Sequence, residues 1–318
     1  LLALVALAAV AIALGETPLS WAQYQEALIR PDSAAGDVLW GLRAPRVAVA
    51  ALVGAMLGLA GAVLQGLLRN PLADPGILGV SAVSALGAAG VIAAGLGTSQ
   101  GAVEGAALGG AVLAGALVTV VASRLADAPT LILFGVALSA MGGAATALVF
   151  NLSPSPIATT EVLTWLMGSA ANRDWPDVAL ALVPALIGAA LCAVSAPGLR
   201  LLTLGEETAS LSGLPMGAMR AAAVAGTALL TGASVALAGI IGFVGLAAPH
   251  LVRGSVEEDP VRVLAPSAVM GALLVVGADL ASRLIPTAEE LRLGVVTALF
   301  GAPLFAVFVW RAGRSWRR

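Results

Sequence analysis

Residues 47–67 form a complete helical bilayer span without a single charged side chain. A helix rises 1.5 Å per residue, so about 20 apolar residues cover the ~30 Å hydrocarbon core. Within lipid every backbone N–H and C=O must find a partner inside the protein, which leaves helices and closed barrels as the only spanning forms. Barrels are written as ~10-residue alternating segments, and no such pattern runs through this chain. Of its 318 residues 59% are hydrophobic and 11% charged, against ~25% charged in soluble domains. Mean hydropathy is +1.00. The chain therefore reads as an all-α integral membrane protein.

Apolar length and breaker residues divide it into about ten transmembrane helices within a single transmembrane domain, 1–318. The expected spans are 1–14, 47–67, 77–97, 102–123, 131–150, 177–195, 217–236, 238–253, 264–284 and 291–310. The first stretch lacks a charged n-region and a small-residue cleavage site, so it reads as the end of a span begun earlier, not as a signal peptide. The seventh and eighth spans are divided least clearly, because residues 232–245 are apolar or small throughout. A shorter amphipathic helix is predicted over 159–167, after the broken segment NLSPSP.

Arginine asymmetry sets the expected orientation. One side receives Arg69, Arg124, Arg200, Arg220, Arg253, Arg262, Arg311, Arg314, Arg317 and Arg318. The other keeps Arg30, Arg43, Arg46, Arg173, Arg283 and Arg292. The richer side is expected to be cytoplasmic, with both termini on it. Small residues at GxxxG spacing, Gly54/Gly58 and Gly101/Gly105/Gly109, predict close helix packing where lipid offers no hydrophobic drive.

Residue counts exclude much chemistry. The chain has no lysine, and so neither a P-loop lysine nor a Schiff-base lysine. One cysteine, Cys192, and one histidine, His250, exclude disulfides within the chain and paired-ligand zinc sites. Ser234 and His250 lack a third orienting group for hydrolysis. Asp279 and Arg283 stand four apart on the ninth span, either as a mutually neutralising pair or as a docking element. An ATP-independent secondary transporter of a bulky solute is the alternative reading, but it calls for a carboxylate or histidine near mid-bilayer. None lies clearly there. A chain with no phosphate-binding loop that moves solute uphill must draw energy from another subunit. It is not an enzyme by itself.

Two loops on the arginine-rich side stand out. RNPLADPGILG (69–79) places Pro71 and Pro75 four apart between apolar runs. Both prolines remove a backbone donor, and Asn70 and Asp74 have side chains that can bond the freed backbone. LTLGEETASLSGLP (202–215) puts Glu206, Glu207, Thr208 and Ser210 beside Leu204, Leu211 and Leu214, ending in Gly213 and Pro215.

These segments, with RAPR (43–46), GLAGAVLQGLLRNPLADPGILG (58–79), GFVGLAAPHLVR (242–253) and GVVTALFGAPLF (294–305), resemble the FecCD-type, or type II, permeases of binding-protein-dependent ABC importers for iron chelates, haem and cobalamin. The resemblance runs from residue 43 to the C-terminus. It implies the type II permease fold, a second copy of the chain, two ATPase subunits that use ATP and Mg, and a periplasmic or lipid-anchored binding protein in the bacterial inner membrane. Nucleic acid is not an expected partner, and no metal or cofactor is expected on this subunit.

The resemblance also implies roles for residues. Leu204, Gly205, Glu206, Glu207, Leu211 and Gly213 would seat in an ATPase groove, with the two glutamates facing basic groups there. Arg43, Arg46 and Arg283 would grip carboxylates of the binding protein. Asp127, Ala128, Pro129 and Thr130 would form the cytoplasmic gate, although Ala128 and Pro129 stand where the family often has small hydroxyl residues. Gln65 would line the pathway, and Asn70, Pro71, Asp74 and Pro75 would form a rigid corner between the second and third spans. The expected cargo is a metal chelate, with ferric siderophore first, haem next, and cobalamin after them.

Overall fold

Glycine and proline punctuate the helices as the sequence suggests. The computed structural model describes the chain apart from residues 16, 98–100, 125–127, 154, 255, 257–258, 288–289 and 316–318, and describes the backbone alone at 308–309 and 311–315. Among the described residues the regular structure is helical throughout. α1 (Leu2–Ala13), α2 (Trp21–Ile29) and α3 (Ala34–Gly36) lead through a π-helical stretch, Asp37–Arg43, into α4 (Ala44–Leu68). A 3-10 turn, Pro75–Leu78, precedes α5 (Val80–Ala93), α6 (Ala102–Arg124), α7 (Ala128–Leu152) and α8 (Pro156–Leu166). Then come α9 (Trp175–Leu202), α10 (Glu206–Leu211), α11 (Met216–Ala238), α12 (Val244–Arg253), α13 (Leu264–Leu284) and α14 (Leu293–Ser315).

Among the described residues six helical stretches are long and apolar enough to cross a membrane: Ala34–Leu68, α6, α7, α9, α11 and α13. Leu2–Ala13, Val80–Ala93 and Leu293–Val307 are shorter apolar helices. The stretch 238–253, expected as one span, is helical only over Val244–Arg253. Ten residues rise about 15 Å, half the hydrocarbon thickness. The break has a local cause. Gly239 turns to φ +72 and Phe243 to φ +66, a conformation that costs a non-glycine residue energy. At the end of α11 the Ala238 carbonyl accepts from Ser169 N at 2.9 Å, and beside it Leu293 N donates to Gly168 O and Gly294 N to Met167 O, each at 3.0 Å. The ends of α8, α11 and α14 thereby meet.

α4 and α11 form the interior. Their membrane-length windows are 72% and 78% buried, against 22% for α7 and 28% for α9. α4 packs so closely on α13 that a Cβ on Gly54 would lie 2.2 Å from Gly271 O, and one on Gly58 2.1 Å from Ser267 O. A Cβ on Gly61 would lie 1.8 Å from Gly245 O, on α12. The GxxxG spacing at Gly54/Gly58 is therefore a packing seam. The Gly101/Gly105/Gly109 triple is not: these three are exposed and a Cβ on any of them would meet nothing within 4 Å.

We expect Gly61→Ala to force α4 and α12 apart and to cost about 1–3 kcal/mol, read as a lower thermal midpoint of the purified chain in detergent. Gly109→Ala, with open space and a gain in helix propensity, leaves the midpoint unchanged or slightly higher.

Candidate functional site

The two ends of α4 hold most of the chemistry. At its start, Arg43 closes the π-helical stretch and Pro45 follows two residues later within the continuous helix, where its ring removes one backbone donor. Arg43 is 7% exposed. Its Nη1 donates to Ile12 O at 3.3 Å and Ala13 O at 2.7 Å, and its Nη2 donates to Thr17 O. Arg283 Nη1 donates to Ala11 O at 3.0 Å and Leu14 O at 3.1 Å. The end of a helix leaves carbonyls unpaired and favours a cation, so these two buried arginines clamp the end of α1.

Arg46 occupies a different environment. Its Nε donates to Asp279 Oδ1 at 2.8 Å, and Nη1 and Nη2 fork onto the two oxygens of Glu290, the bidentate geometry that strengthens such pairs. Asp279 is fully buried between Arg46 and Arg283, whose Nη2 lies 3.0 Å from Asp279 Oδ2. Ser282 Oγ donates to Glu290 Oε1 at 3.3 Å. Burial pushes the Glu290 carboxyl up, but its bond to Arg46 prevails and holds it below the usual glutamate range. The side chains of Arg46 and Glu290 keep 14% and 25% of their exposure and form the outer edge of the cluster. The three arginines expected to share one docking task are thus divided. Arg43 and Arg283 turn inward, with donors on carbonyls at and just beyond the end of α1 and, for Arg283, on Asp279, and Arg46 reaches the surface.

The far end of α4 stops at Arg69, which adopts φ +49, and Asn70 N bonds back to Gln65 O at 3.1 Å. The corner that follows is built from matched turns. Asn70 Oδ1 accepts from Leu72 N at 2.9 Å and Asp74 Oδ1 accepts from Gly76 N at 2.8 Å. Each side chain takes the N–H one residue past a proline. Pro75 packs on Gly245, where a Cβ would lie 2.6 Å from the proline ring. Gln65, expected along the pathway, is 2% exposed. Its Nε2 donates to Ala73 O (3.4 Å) and Leu246 O (3.3 Å), and its Oε1 accepts from Arg253 Nη2 at 2.8 Å. It fastens α4, the corner and α12 together. Asp74 and Pro75 also line a cavity of about 270 Å³ with Thr231, Ile241 and Gly242.

This end gathers the other expected segments. Gly66 on α4 faces Leu199 near the end of α9, and Gly217 at the start of α11 faces Ser123 at the end of α6. Arg200 meets Asp259 at 2.7 Å. Between α9 and α11, α10 buries Ala209 and leaves Leu204 and Leu211 64% and 87% exposed. Gly205 (φ +101) and Gly213 (φ +82) form the bends on either side. Glu206, expected to face an external basic group, pairs with Arg220 at 3.0 Å, while Glu207 is exposed. Of the expected gate, Asp127 lies outside the described residues; Ala128, Pro129 and Thr130 begin α7.

Sequence reasoning did not find Glu290 as the partner of Arg46, Arg220 as the partner of Glu206, or the Gln65–Arg253 bond. Those pairs are 244, 14 and 188 residues apart in the chain, and only the second falls within reach of a local pattern.

The FecCD transport family matches residues 2–311. An uncharacterized ABC transporter permease protein of Bacillus subtilis, YvrB, is 40% identical over 289 residues, 88% of this chain and 81% of the relative. The vitamin B12 import system permease protein BtuC of Shigella sonnei is 42% identical over 284 residues, 87% of this chain and 84% of the relative. Its Escherichia coli K12 counterpart is 41% identical with the same coverage. Among solved structures, one described as an inward-facing conformation of a metal-chelate type ABC transporter superposes with a TM-score of 0.85 at 31% identity. The match covers 98% of this chain and 97% of that one.

Two tests follow from the geometry. Asp279→Ala strands Arg283 in a buried site and takes from Arg46 one of its two carboxylates, and breaking such a buried pair costs about 3–5 kcal/mol; we expect loss of folded protein in size-exclusion yield and thermal midpoint. Burial pushes the Asp74 carboxyl above the ordinary aspartate range, with the Gly76 N–H only partly opposing. The folded state then holds this proton more tightly than the unfolded state, so stability falls as pH rises from the ordinary aspartate value through the raised one. Asp74→Asn keeps an acceptor for Gly76 and removes the charge. Thermal midpoints against pH are expected to lose that step and to be higher for the variant at neutral pH.

Proposed function

Because this chain belongs to the FecCD transport family, we propose that it is the membrane permease subunit of an ATP-driven, binding-protein-dependent importer of a bulky metal chelate. The observation that carries the reading is the α10 segment. Leu204 and Leu211 stand bare beside Glu207 at the arginine-rich end of the bundle, where a partner ATPase would cover them. Ala209 anchors the segment beneath. Movement of α10 would pass to α9 and α11, the helices it joins. Its charge contact would rest on Glu207, since Glu206 already meets Arg220.

The arginine-rich end would be cytoplasmic, in a bacterial inner membrane. The opposite end would then present Arg46 and Glu290 to a binding protein, with Arg43 and Arg283 holding the platform rigid behind them. A second copy of the chain would complete the passage, with Ala128, Pro129 and Thr130 near its inner mouth and the 69–79 corner as a fixed support. Similarity to the B12 permeases supports a corrinoid as the first cargo to test, ahead of the ferric siderophore and haem favoured by sequence reasoning.

In proteoliposomes holding permease, ATPase and binding protein, we expect ATP-dependent uptake of one chelate among cobalamin, a ferric siderophore and haem. Uptake by the permease alone would overturn the reading. Leu211→Asp with Glu207→Arg alters an exposed surface and should leave the fold intact. It should lower ATP-driven uptake by more than about tenfold, as loss of an interface anchor does; unchanged uptake would remove α10 from the coupling role.

A further inference from the structure

Arg46 has two carboxylate partners, and they are not held alike. Asp279 belongs to α13 and is fully buried; one oxygen accepts from Arg46 Nε at 2.8 Å, and the other lies 3.0 Å from Arg283 Nη2. Withdrawing it would leave a buried charge on Arg283, so it is a fixed part of the cluster. Glu290 stands in the stretch between α13 and α14 and keeps 25% of its side-chain exposure. It takes the end of the same guanidinium, where Nη1 and Nη2 each donate to one of its oxygens. Ser282 Oγ adds a longer contact at 3.3 Å. Of the two acids, Glu290 is the one that can leave.

The charges decide what could take its place. Arg43, Arg46 and Arg283 stand against Asp279 and Glu290, which leaves one positive charge, or two once Glu290 turns away. A carboxylate arriving beside Glu290 would meet a like charge and a fork already taken, and such juxtapositions are costly. A carboxylate arriving in its place would inherit both charge-assisted bonds in the same bidentate geometry. Arg46 then never lacks a partner, and Glu290 regains water at an edge that is already partly exposed.

We infer that Glu290 is a resident competitor: it occupies the fork of Arg46 until a carboxylate of the binding protein displaces it, and retakes the fork when that protein leaves. The inference rests on the docking role given to Arg46 above and concerns how that contact is regulated. One ion pair is broken for the one that is made, so Glu290 weakens docking although it lies in the docking face.

The test measures docking of the binding protein that sustains uptake in the proteoliposome assay, by interferometry on the permease–ATPase complex in nanodiscs. Arg46→Gln should weaken docking by more than about tenfold. Glu290→Gln, isosteric and still able to accept from Arg46, should lower Kd about fivefold, the factor a partly exposed ion pair supplies. Glu290→Asp keeps the charge on a side chain one methylene shorter, which reaches the fork poorly, and should also tighten docking. A structure of the docked complex should show a binding-protein carboxylate on Arg46 and Glu290 turned to solvent. Docking indifferent to Arg46→Gln would overturn both the exchange and the docking role of Arg46. If docking needs Arg46, the exchange alone fails on any of three results: no gain from Glu290→Gln, a gain from Glu290→Gln but none from Glu290→Asp, or a docked complex with Arg46 still forked on Glu290.

Discussion

Backbone-to-backbone approach along α4 is the constraint on which the rest of this structure depends. Between apolar helices in lipid there is no hydrophobic gain to be had from contact, so dispersion and close fit must hold them. α4 meets α13 through Gly54 and Gly58 against Ser267 and Gly271, and meets α12 through Gly61 against Gly245. A Cβ at any of these glycines would open the seam. The helix so enclosed carries the arginine cluster at one end and the proline corner at the other, and both inherit their geometry from it.

The charges follow the same logic. Arg43 and Arg283 are costly inside a membrane protein, yet their donors reach carbonyls that the end of α1 would otherwise leave open. Asp279 neutralises part of the excess, and Glu290 reaches in from the loop beyond α13 to hold the free edge of Arg46. Three arginines against two carboxylates leave the cluster net positive, with its remaining field directed outward past Arg46. At the other end, Gln65 uses an uncharged amide to do the joining, with donor and acceptor both engaged.

Much of this was legible in the sequence, and the rest was not for physical reasons. Composition and apolar length gave the all-helical membrane fold, and Pro71 and Pro75 announced a corner whose Asn70 and Asp74 side chains do bond the backbone beyond each proline. The shared motifs pointed to the FecCD family. What spacing could not reveal is direction. Gly54/Gly58 and Gly101/Gly105/Gly109 have the same pattern, but one is a seam and the other an open face, because small residues permit close approach without choosing a partner. RAPR likewise gave residue types, not their partners: Arg43 turns to carbonyls of residues 12, 13 and 17, and Arg46 to Asp279 and Glu290. Glu290 lies far along the chain from Arg46, in a loop without periodicity, and no local rule connects them.

The broken α12 completes the mechanical picture. α4 is held on several sides and is poorly suited to bend, whereas the segment from Gly239 to Phe243 gives up helical bonds and stores two positive-φ bends. Beside it, the carbonyls of Ala238, Gly168 and Met167 accept from Ser169, Leu293 and Gly294 and knit the ends of α8, α11 and α14, and α12 then runs back to Arg253, whose guanidinium holds Gln65. α10 leads directly into α11, whose far end lies at this junction, while the Gln65 contact ties α12 to α4. The structure thus sets a continuous, enclosed helix, α4, beside an interrupted segment flanked by backbone bonds among its neighbours.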